Sequence, residues 1–135
     1  MKPIAITQGD PAGIGPEIVA KAFRDAPDLL RGCFVVGDVA TLRRAAACIA
    51  RPGIPSVPVA VLDGIHDAWD APTRCVPVLP LPGLASAVPW GRISAEAGRA
   101  AADCVEWAAR AALRGDVAAV VTAPLHKEAL SAAGV

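Results

Sequence analysis

The sequence predicts an α/β fold in which a mostly parallel sheet carries helices on both of its faces. Short, continuous apolar segments alternate along the chain with segments that show helical spacing of apolar residues, the pattern of repeated strand–helix units. The 135 residues are enough for one modest domain, and 54% of them are hydrophobic although only 4% are aromatic. A core of small and aliphatic side chains favours helices that pack closely on a sheet.

Apolar runs in the first half of the chain predict three strands separated by two helices. The strands are short and rich in aliphatic residues, and both helices repeat apolar residues every three or four positions. The predicted strands are Pro3–Thr7, Cys33–Val36 and Val57–Leu62, and the predicted helices are Pro16–Arg24 and Val39–Ala50. The loop Gln8–Gly15 joins the first strand to the first helix.

The stretch Asp63–Pro89 predicts a long irregular connection, because it contains many of the prolines. We expect only Val76–Leu79 to be extended there, and the connection as a whole to form part of a sheet edge or a subunit contact.

A long helix follows this connection. Ser94 is a residue type that caps helix N-termini, and Gly115 suits the position after the C-terminus, so we expect a helix that ends near Arg114. We expect it to be the longest helix of the chain and to bury an apolar stripe. The stripe comprises Ala101, Val105, Ala108, Ala112 and Leu113.

The last predicted elements are a strand and a short helix. The segment Val117–Val121 is continuously apolar, which is typical of a strand buried on both faces. Thr122–Pro124 then opens a short helix that runs through Ala133.

The charge balance and the cysteines exclude several classes of function. The 13 basic residues match the 13 acidic ones and form no basic run, so we expect no nucleic-acid partner. No apolar run is long enough to cross a membrane, and the N-terminus lacks the apolar core of a signal peptide. The four cysteines are scattered, which fits neither a zinc site nor a disulfide framework, so we expect free thiols in a cytoplasmic protein.

The loop after the first strand is the most informative segment for function. Residues 9–17 read Gly-Asp-Pro-Ala-Gly-Ile-Gly-Pro-Glu, at the strand-to-helix position where open α/β sheets bind ligands. The spacing is not Gly-x-Gly-x-x-Gly, because the sixth position from Gly13 is Ile18, and no Gly-Lys-Ser/Thr follows. From the residues alone, a ligand-binding loop and a tight turn that needs glycine only for its geometry remain equally open.

Three ordered motifs give the chain a family resemblance. The loop Gly9–Glu17 after the strand Ile4–Thr7 resembles the opening of the 4-hydroxythreonine-4-phosphate dehydrogenase family, whose fold is that of the isocitrate and isopropylmalate dehydrogenases. The segment Trp90–Gly98 is similar to a helix start in the same family, and Val120–Lys127 is similar to its Thr-Ala-Pro segment with a following His-Lys pair.

The resemblance implies an NAD-dependent enzyme of pyridoxal phosphate biosynthesis. Members of the family are two-domain homodimers that oxidise a phosphorylated hydroxy-amino acid and then release carbon dioxide. A divalent metal (Zn, Mg or Co) held by three histidines assists both steps. From this resemblance we expect residues 1–135 to correspond to the N-terminal α/β portion of such an enzyme, without the second domain and the metal-ligand region.

The motifs that match the family name the candidate site residues. Asp10, Gly13, Ile14 and Gly15 match the loop that lines the cofactor cleft, and the pair His126 and Lys127 matches a segment of the substrate cleft. The resemblance assigns no catalytic residue and no metal ligand to this chain. Both motifs follow the carboxyl ends of predicted strands, so we expect them to lie at one edge of the sheet.

Two alternatives to this function remain. A paralogue would act on other four-carbon sugar-acid phosphates or on cyclic dihydrodiols, and Gln8, where proline is common in the biosynthetic enzymes, favours it slightly. The second alternative is a non-catalytic α/β module. Because the chain lacks the metal ligands, we expect it to be inactive by itself.

Overall fold

The computed structural model describes residues 1–84 and 86–135. Ala85, inside the predicted irregular connection, lies outside the described residues. The strands are β1 (Ile4–Thr7), β2 (Cys33–Gly37), β3 (Val59–Val61), β4 (Val76–Pro80) and β5 (Ala119–Thr122). The helices are α1 (Gly15–Asp25), α2 (Val39–Cys48), α3 (Ala95–Arg114) and α4 (Lys127–Ala132), with a 3₁₀ helix at Ile65–Trp69.

The strands form one sheet in the order β3-β4-β2-β1-β5, with every described pair parallel. The strand β1 lies between β2 and β5, and its register pairs Thr7 with Val36 on one side and with Thr122 on the other. The predicted α/β class and the parallel sheet are therefore confirmed. All carboxyl ends of the strands, and the loops that follow them, lie at the same edge of the sheet.

Helices cover both faces of the sheet, as predicted. One core cluster joins α1 and α2 to the sheet through Phe23, Leu42 and Val35. The opposite cluster joins α3 and the 3₁₀ helix to the sheet through Ala108, Ala68 and Phe34. The first cluster contains large aliphatic side chains, whereas the helix side of the second is mostly alanine.

Helix α3 is the longest helix, with 20 residues, and its ends are those predicted. The Ser94 hydroxyl accepts a hydrogen bond from the Ala97 N–H, and Gly115 is left-handed with φ 78°. The buried stripe differs from the prediction, because Leu113 is 88% exposed and Ala112 is exposed as well. The buried stripe consists of Ala97, Gly98, Ala101, Cys104, Ala108 and Ala111.

The predicted extended segment Val76–Leu79 is confirmed as β4, but this part of the connection does not form a sheet edge. Strand β4 lies inside the sheet, between β3 and β2. Proline normally disfavours an interior strand, because it cannot donate to the ladder. Here the Val76 N–H donates to Pro58, and pairing with β2 begins at Val78, so the missing N–H of Pro77 precedes the ladder with β2.

The prediction that the last strand is buried on both faces is also wrong. Strand β5 is an edge strand that pairs with β1, and three of its four residues are exposed. Val121 is 51% exposed, on the strand position that pairs with Ile6. The helix after it begins at Lys127, later than predicted, and residues 123–126 form an irregular connection in which His126 has extended backbone angles.

All four cysteines are free, as predicted. Within residues 1–84 and 86–135, every helix falls short of the length and apolar character that a membrane crossing requires.

Candidate active site

The loop after β1 and the segment after β5 meet at the carboxyl edge of the sheet. Thr7 pairs with Thr122, so the strands β1 and β5 end at the same level of the sheet. The Asp10 N–H donates to the Pro124 carbonyl over 3.0 Å, which joins the loop Gln8–Gly15 to the segment Thr122–Lys127. The prediction that the two motifs share one edge is confirmed.

Two glycines of the loop are required by this packing. Gly9 has φ +76°, and a Cβ there would lie 2.5 Å from the Pro124 carbonyl oxygen. A Cβ at Gly15 would lie 2.5 Å from the Gln8 carbonyl oxygen and 3.2 Å from the Ala123 Cβ. Both glycines therefore serve the contact between the loop and its neighbours, whatever ligand the loop binds.

Asp10 shapes the loop from inside. Its carboxylate is buried and accepts a hydrogen bond from the Ala12 N–H over 2.7 Å, and its carbonyl accepts one from the Gly13 N–H over 3.0 Å. This arrangement is an Asx-type turn, in which a short carboxylate replaces a backbone acceptor. One carboxylate oxygen is thus engaged in holding the turn.

The outer surface of the loop is formed by Gly13 and Ile14. A Cβ at Gly13 would meet nothing closer than Asp10 at 3.5 Å, which is an ordinary contact, so the fold does not require glycine there. Ile14 is 62% exposed and occupies the N-cap position of α1, where its side chain donates and accepts nothing. Gly13 is half-buried, and both residues lie at the positive end of the α1 dipole.

Gln8 joins the loop to α2. Its side-chain carbonyl accepts a hydrogen bond from the Asp38 N–H over 2.9 Å, and a Cβ at Gly37 would lie 2.5 Å from that oxygen. Asp38 in turn caps α2 by accepting from the Thr41 N–H over 2.8 Å. The sequence singled out Gln8 only as a departure from proline, yet a proline side chain could not make this bond.

His126 and Lys127 are both exposed, at the start of α4. His126 is the N-cap residue, and its side chain makes no capping hydrogen bond. Within the same segment, Ala123 is buried and packs beside Gly15. The segment therefore anchors the loop with a small side chain and a carbonyl, and presents its imidazole and ammonium groups to solvent.

Sequence reasoning missed a second contact of the loop, made by Arg44 of α2. The Arg44 guanidinium donates to the Pro11 carbonyl over 3.1 Å and to the Val88 carbonyl over 2.5 Å. Its Cζ lies 4.5 Å from the centre of the Trp90 ring. The Gly91 N–H donates to the Ala12 carbonyl over 2.8 Å. No local sequence pattern predicts these contacts, because they join residues that are far apart in the sequence.

A small crevice behind the loop is lined by Gln8, Asp38 and Cys104 among others. Burial raises the pKa of the Cys104 thiol to about 12, and the carboxylates of Asp103 and Asp38 add to the rise. This thiol stays protonated at neutral pH and is a packing group rather than a nucleophile.

The described ranges 1–84 and 86–135 contain no group of three or more His, Cys, Asp or Glu residues placed to hold a metal ion. His66 and His126 lie on separate elements, the 3₁₀ helix and the start of α4. The donor groups present do not fit a metal centre within this chain alone.

Comparison with known proteins identifies the family. Residues 30–135 match the family described as "Pyridoxal phosphate biosynthetic protein PdxA". The chain belongs to the PdxA family.

Relatives in and around the PdxA family are named as dehydrogenases. The chain is 44% identical to the D-threonate 4-phosphate dehydrogenase of Salmonella typhimurium, over 98% of this chain and 40% of the relative. The 4-hydroxythreonine-4-phosphate dehydrogenase of Klebsiella pneumoniae superposes with a TM-score of 0.85 and 37% identity, over 99% of this chain and 40% of that one. A terephthalate 1,2-cis-dihydrodiol dehydrogenase of Burkholderia xenovorans superposes with a TM-score of 0.72 and 28% identity, over 99% and 37%.

The chain spans about 40% of the length of the PdxA-family relatives that it matches. The fold described above is therefore shared with this part of its structural relatives.

Proposed function

We propose that this chain supplies the cofactor-facing part of an NAD-dependent dehydrogenase that oxidises 4-hydroxythreonine 4-phosphate or a related phosphorylated hydroxy acid. The observation that carries the proposal is the junction of the loop Gln8–Gly15 with the segment Thr122–Lys127, held by the bond from Asp10 to Pro124. Such a junction at the carboxyl edge of a parallel sheet is the usual position of a ligand crevice.

On the cofactor side, the candidate residues of the loop have two different roles. These residues are Asp10, Gly13, Ile14 and Gly15. Asp10 and Gly15 fix the backbone of the loop, whereas Gly13 and Ile14 form the surface that meets the cofactor. NAD, when bound, accepts the hydride from the carbinol carbon of the substrate. The loop positions the cofactor through the shape of its surface, because hydride transfer requires the reacting carbons of substrate and cofactor to be held at contact distance.

On the substrate side, His126 and Lys127 contact the phosphorylated acid. Their side chains are exposed at the edge of the junction, and the Lys127 ammonium compensates the charge of a phosphoryl or carboxylate group. The exposed His126 imidazole offers ring nitrogens that can form hydrogen bonds with the substrate.

For the whole enzyme we propose a two-domain homodimer in which residues 1–135 form the N-terminal portion. Oxidation gives a β-keto acid, which loses carbon dioxide, with a divalent metal held by residues outside this chain. Because the donor groups of the described residues do not fit a metal centre, no step assigned to this chain passes through the metal. We expect the chain alone to be inactive in turnover.

The Gly13→Ala variant tests the proposal most sharply. The fold tolerates a Cβ at this position, so the free energy of unfolding should stay within about 0.5 kcal/mol of the wild type. A cofactor that packs on Gly13 should lose affinity by about tenfold, because the added methyl displaces it. Calorimetric titration with NAD measures the affinity, and urea unfolding of the same variant is the control.

Equal NAD affinity in the variant and the wild type would remove the loop from the cofactor site. A wild-type chain with no measurable affinity for NAD would favour the alternative of a non-catalytic α/β module.

A second candidate substrate is D-threonate 4-phosphate. It is favoured by the 44% identity with the Salmonella typhimurium dehydrogenase that is named for it. Comparison of turnover with the two 4-phosphates, in the enzyme of full family length, distinguishes the candidates. A preference for a cyclic dihydrodiol would instead favour a function like that named for the Burkholderia xenovorans dihydrodiol dehydrogenase.

A further inference from the structure

The side chain of Arg44 reaches from α2 to the loop Gln8–Gly15 at Pro11. It touches three groups: the Pro11 carbonyl, the Val88 carbonyl and the face of the Trp90 ring. We propose that Arg44 is a positioning residue, which holds the loop in the conformation that receives the cofactor. This inference rests on the proposed function.

The three contacts of Arg44 require arginine in particular. The guanidinium is a planar fork whose terminal nitrogens can donate to two carbonyls at once, while its face stacks on an indole. A lysine ammonium could occupy only part of this arrangement. The Nε atom of Arg44 is buried without a hydrogen-bond partner among the described residues. The geometry of the site therefore satisfies the two terminal nitrogens of the guanidinium and leaves Nε unsatisfied.

The loop is held from two sides. On the sheet side, the Asp10 N–H donates to the Pro124 carbonyl. On the other side, Arg44 holds Pro11, and the Gly91 N–H donates to Ala12. Ala12 also packs in a small cluster with Val88 and Ala97, which continues this second anchor into α3.

The two anchors end where the proposed cofactor surface begins. Pro11 and Ala12 are buried, whereas Gly13 is half-buried and Ile14 is exposed. Arg44 therefore acts on the cofactor surface through Pro11 and Ala12, by fixing the backbone from which Gly13 and Ile14 project. Loss of the guanidinium should release the loop on one side only, because the bond to Pro124 remains.

The chain offers a matched control for this test. Arg43 precedes Arg44 on the same helix, carries the same charge and is exposed, and the structure gives it no hydrogen bond or ion pair within the described residues. Arg44→Ala and Arg43→Ala thus change net charge and helix propensity equally. Arg44→Met keeps the aliphatic stem packed on α2 if the alanine variant proves unstable.

Three measurements test the proposal on the chain as it exists. Amide hydrogen exchange should be about tenfold faster at Ala12 and Gly91 in Arg44→Ala than in Arg43→Ala, with no change at Val35 in the sheet. The NMR resonance of the Trp90 indole N–H should shift in Arg44→Ala only. NAD affinity should fall by about tenfold in Arg44→Ala, stay at the wild-type value in Arg43→Ala, and be incompletely restored by Arg44→Lys.

Equal exchange at Ala12 and Gly91 in the two alanine variants would overturn the positioning role. Equal NAD affinity in these variants, in a chain whose wild type binds NAD, would overturn its link to the cofactor. If the wild type binds no NAD, the proposed function fails, and the exchange data alone decide whether Arg44 positions the loop.

Discussion

The loop after β1 and the segment after β5 lie side by side but are built in opposite ways. In the loop, residues 8–12 are all buried, and their polar groups are used inside the protein. In the segment, Ala123 is buried, while residues 124–128 are exposed. In the loop, the glycines and the aspartate therefore serve its packing, whereas the neighbouring segment exposes an imidazole and an ammonium group.

Gly9→Ala should break the contact between the two regions and have the largest effect. The added Cβ would overlap the Pro124 carbonyl, and the backbone would be left with a positive φ. We expect the free energy of unfolding to fall by about 3 kcal/mol or more, as measured by urea denaturation. Gly53→Ala is the matched control, since Gly53 has φ +78° but no atom within 4 Å of its Cβ position, and it should lose about 1 kcal/mol. Equal losses would show that the collision with Pro124 is unimportant.

Asp10 gives the next largest effect. Asp10→Ala removes the acceptor for the Ala12 N–H and should cost about 1 to 2 kcal/mol of unfolding free energy. Asp10→Asn keeps an oxygen at the same position and should stay close to the wild type. Thermal or urea unfolding of both variants measures the difference. A loss of NAD affinity in Asp10→Asn without a loss of stability would instead indicate that the carboxylate charge itself meets the ligand.

Local patterns in the sequence were enough to predict most of the elements. The strands β1 and β2 and the helices α1, α2 and α3 follow from apolar spacing and from caps such as Ser94 and Gly115. The interior position of β4 was missed because Pro77 and Pro80 argue against a paired strand. The exposure of β5 was missed because an apolar run records composition, whereas burial depends on where the strand lies in the sheet order.

The candidate site was predictable in place but only partly in mechanism. The shared edge of the two motifs follows from parallel topology. The inward use of Asp10 depends on a turn that can be recognised from an Asp placed before Pro-Ala-Gly. The contacts of Arg44 and Gln8 join distant parts of the chain, so no local signal could have revealed them.

Cys104 provides a smaller, pH-dependent test of the packing behind the loop. Its pKa is raised by burial from the ordinary value of 9.0 to about 12 in the folded chain. The unfolded chain therefore loses this proton first as pH rises, which favours unfolding above pH 9 and up to about pH 12. We expect Cys104→Ala to reduce the loss of unfolding free energy between pH 8 and about pH 9.5 by about 1 kcal/mol.

The exposed Cys48 is the matched control for this experiment. Cys48→Ala should leave the pH dependence of the unfolding free energy as it is in the wild type. The same slope in Cys104→Ala as in Cys48→Ala would mean that the thiol is better solvated than its place on α3 indicates.

His126 and Lys127 should give the smallest effect on stability and the clearest effect on ligand binding. Because both side chains are exposed and the bond from Asp10 uses the Pro124 backbone, His126→Ala and Lys127→Ala should each stay within about 0.5 kcal/mol of the wild type. If the segment provides the substrate groups, Lys127→Ala should weaken the binding of inorganic phosphate severalfold, as measured by NMR titration. Lys21→Ala, which removes an exposed lysine from α1, is the control and should bind phosphate like the wild type. Equal phosphate affinity in the two lysine variants would contradict the hypothesis that the segment Thr122–Lys127 provides substrate-binding side chains. The segment would then contribute only its backbone and Ala123 to the site.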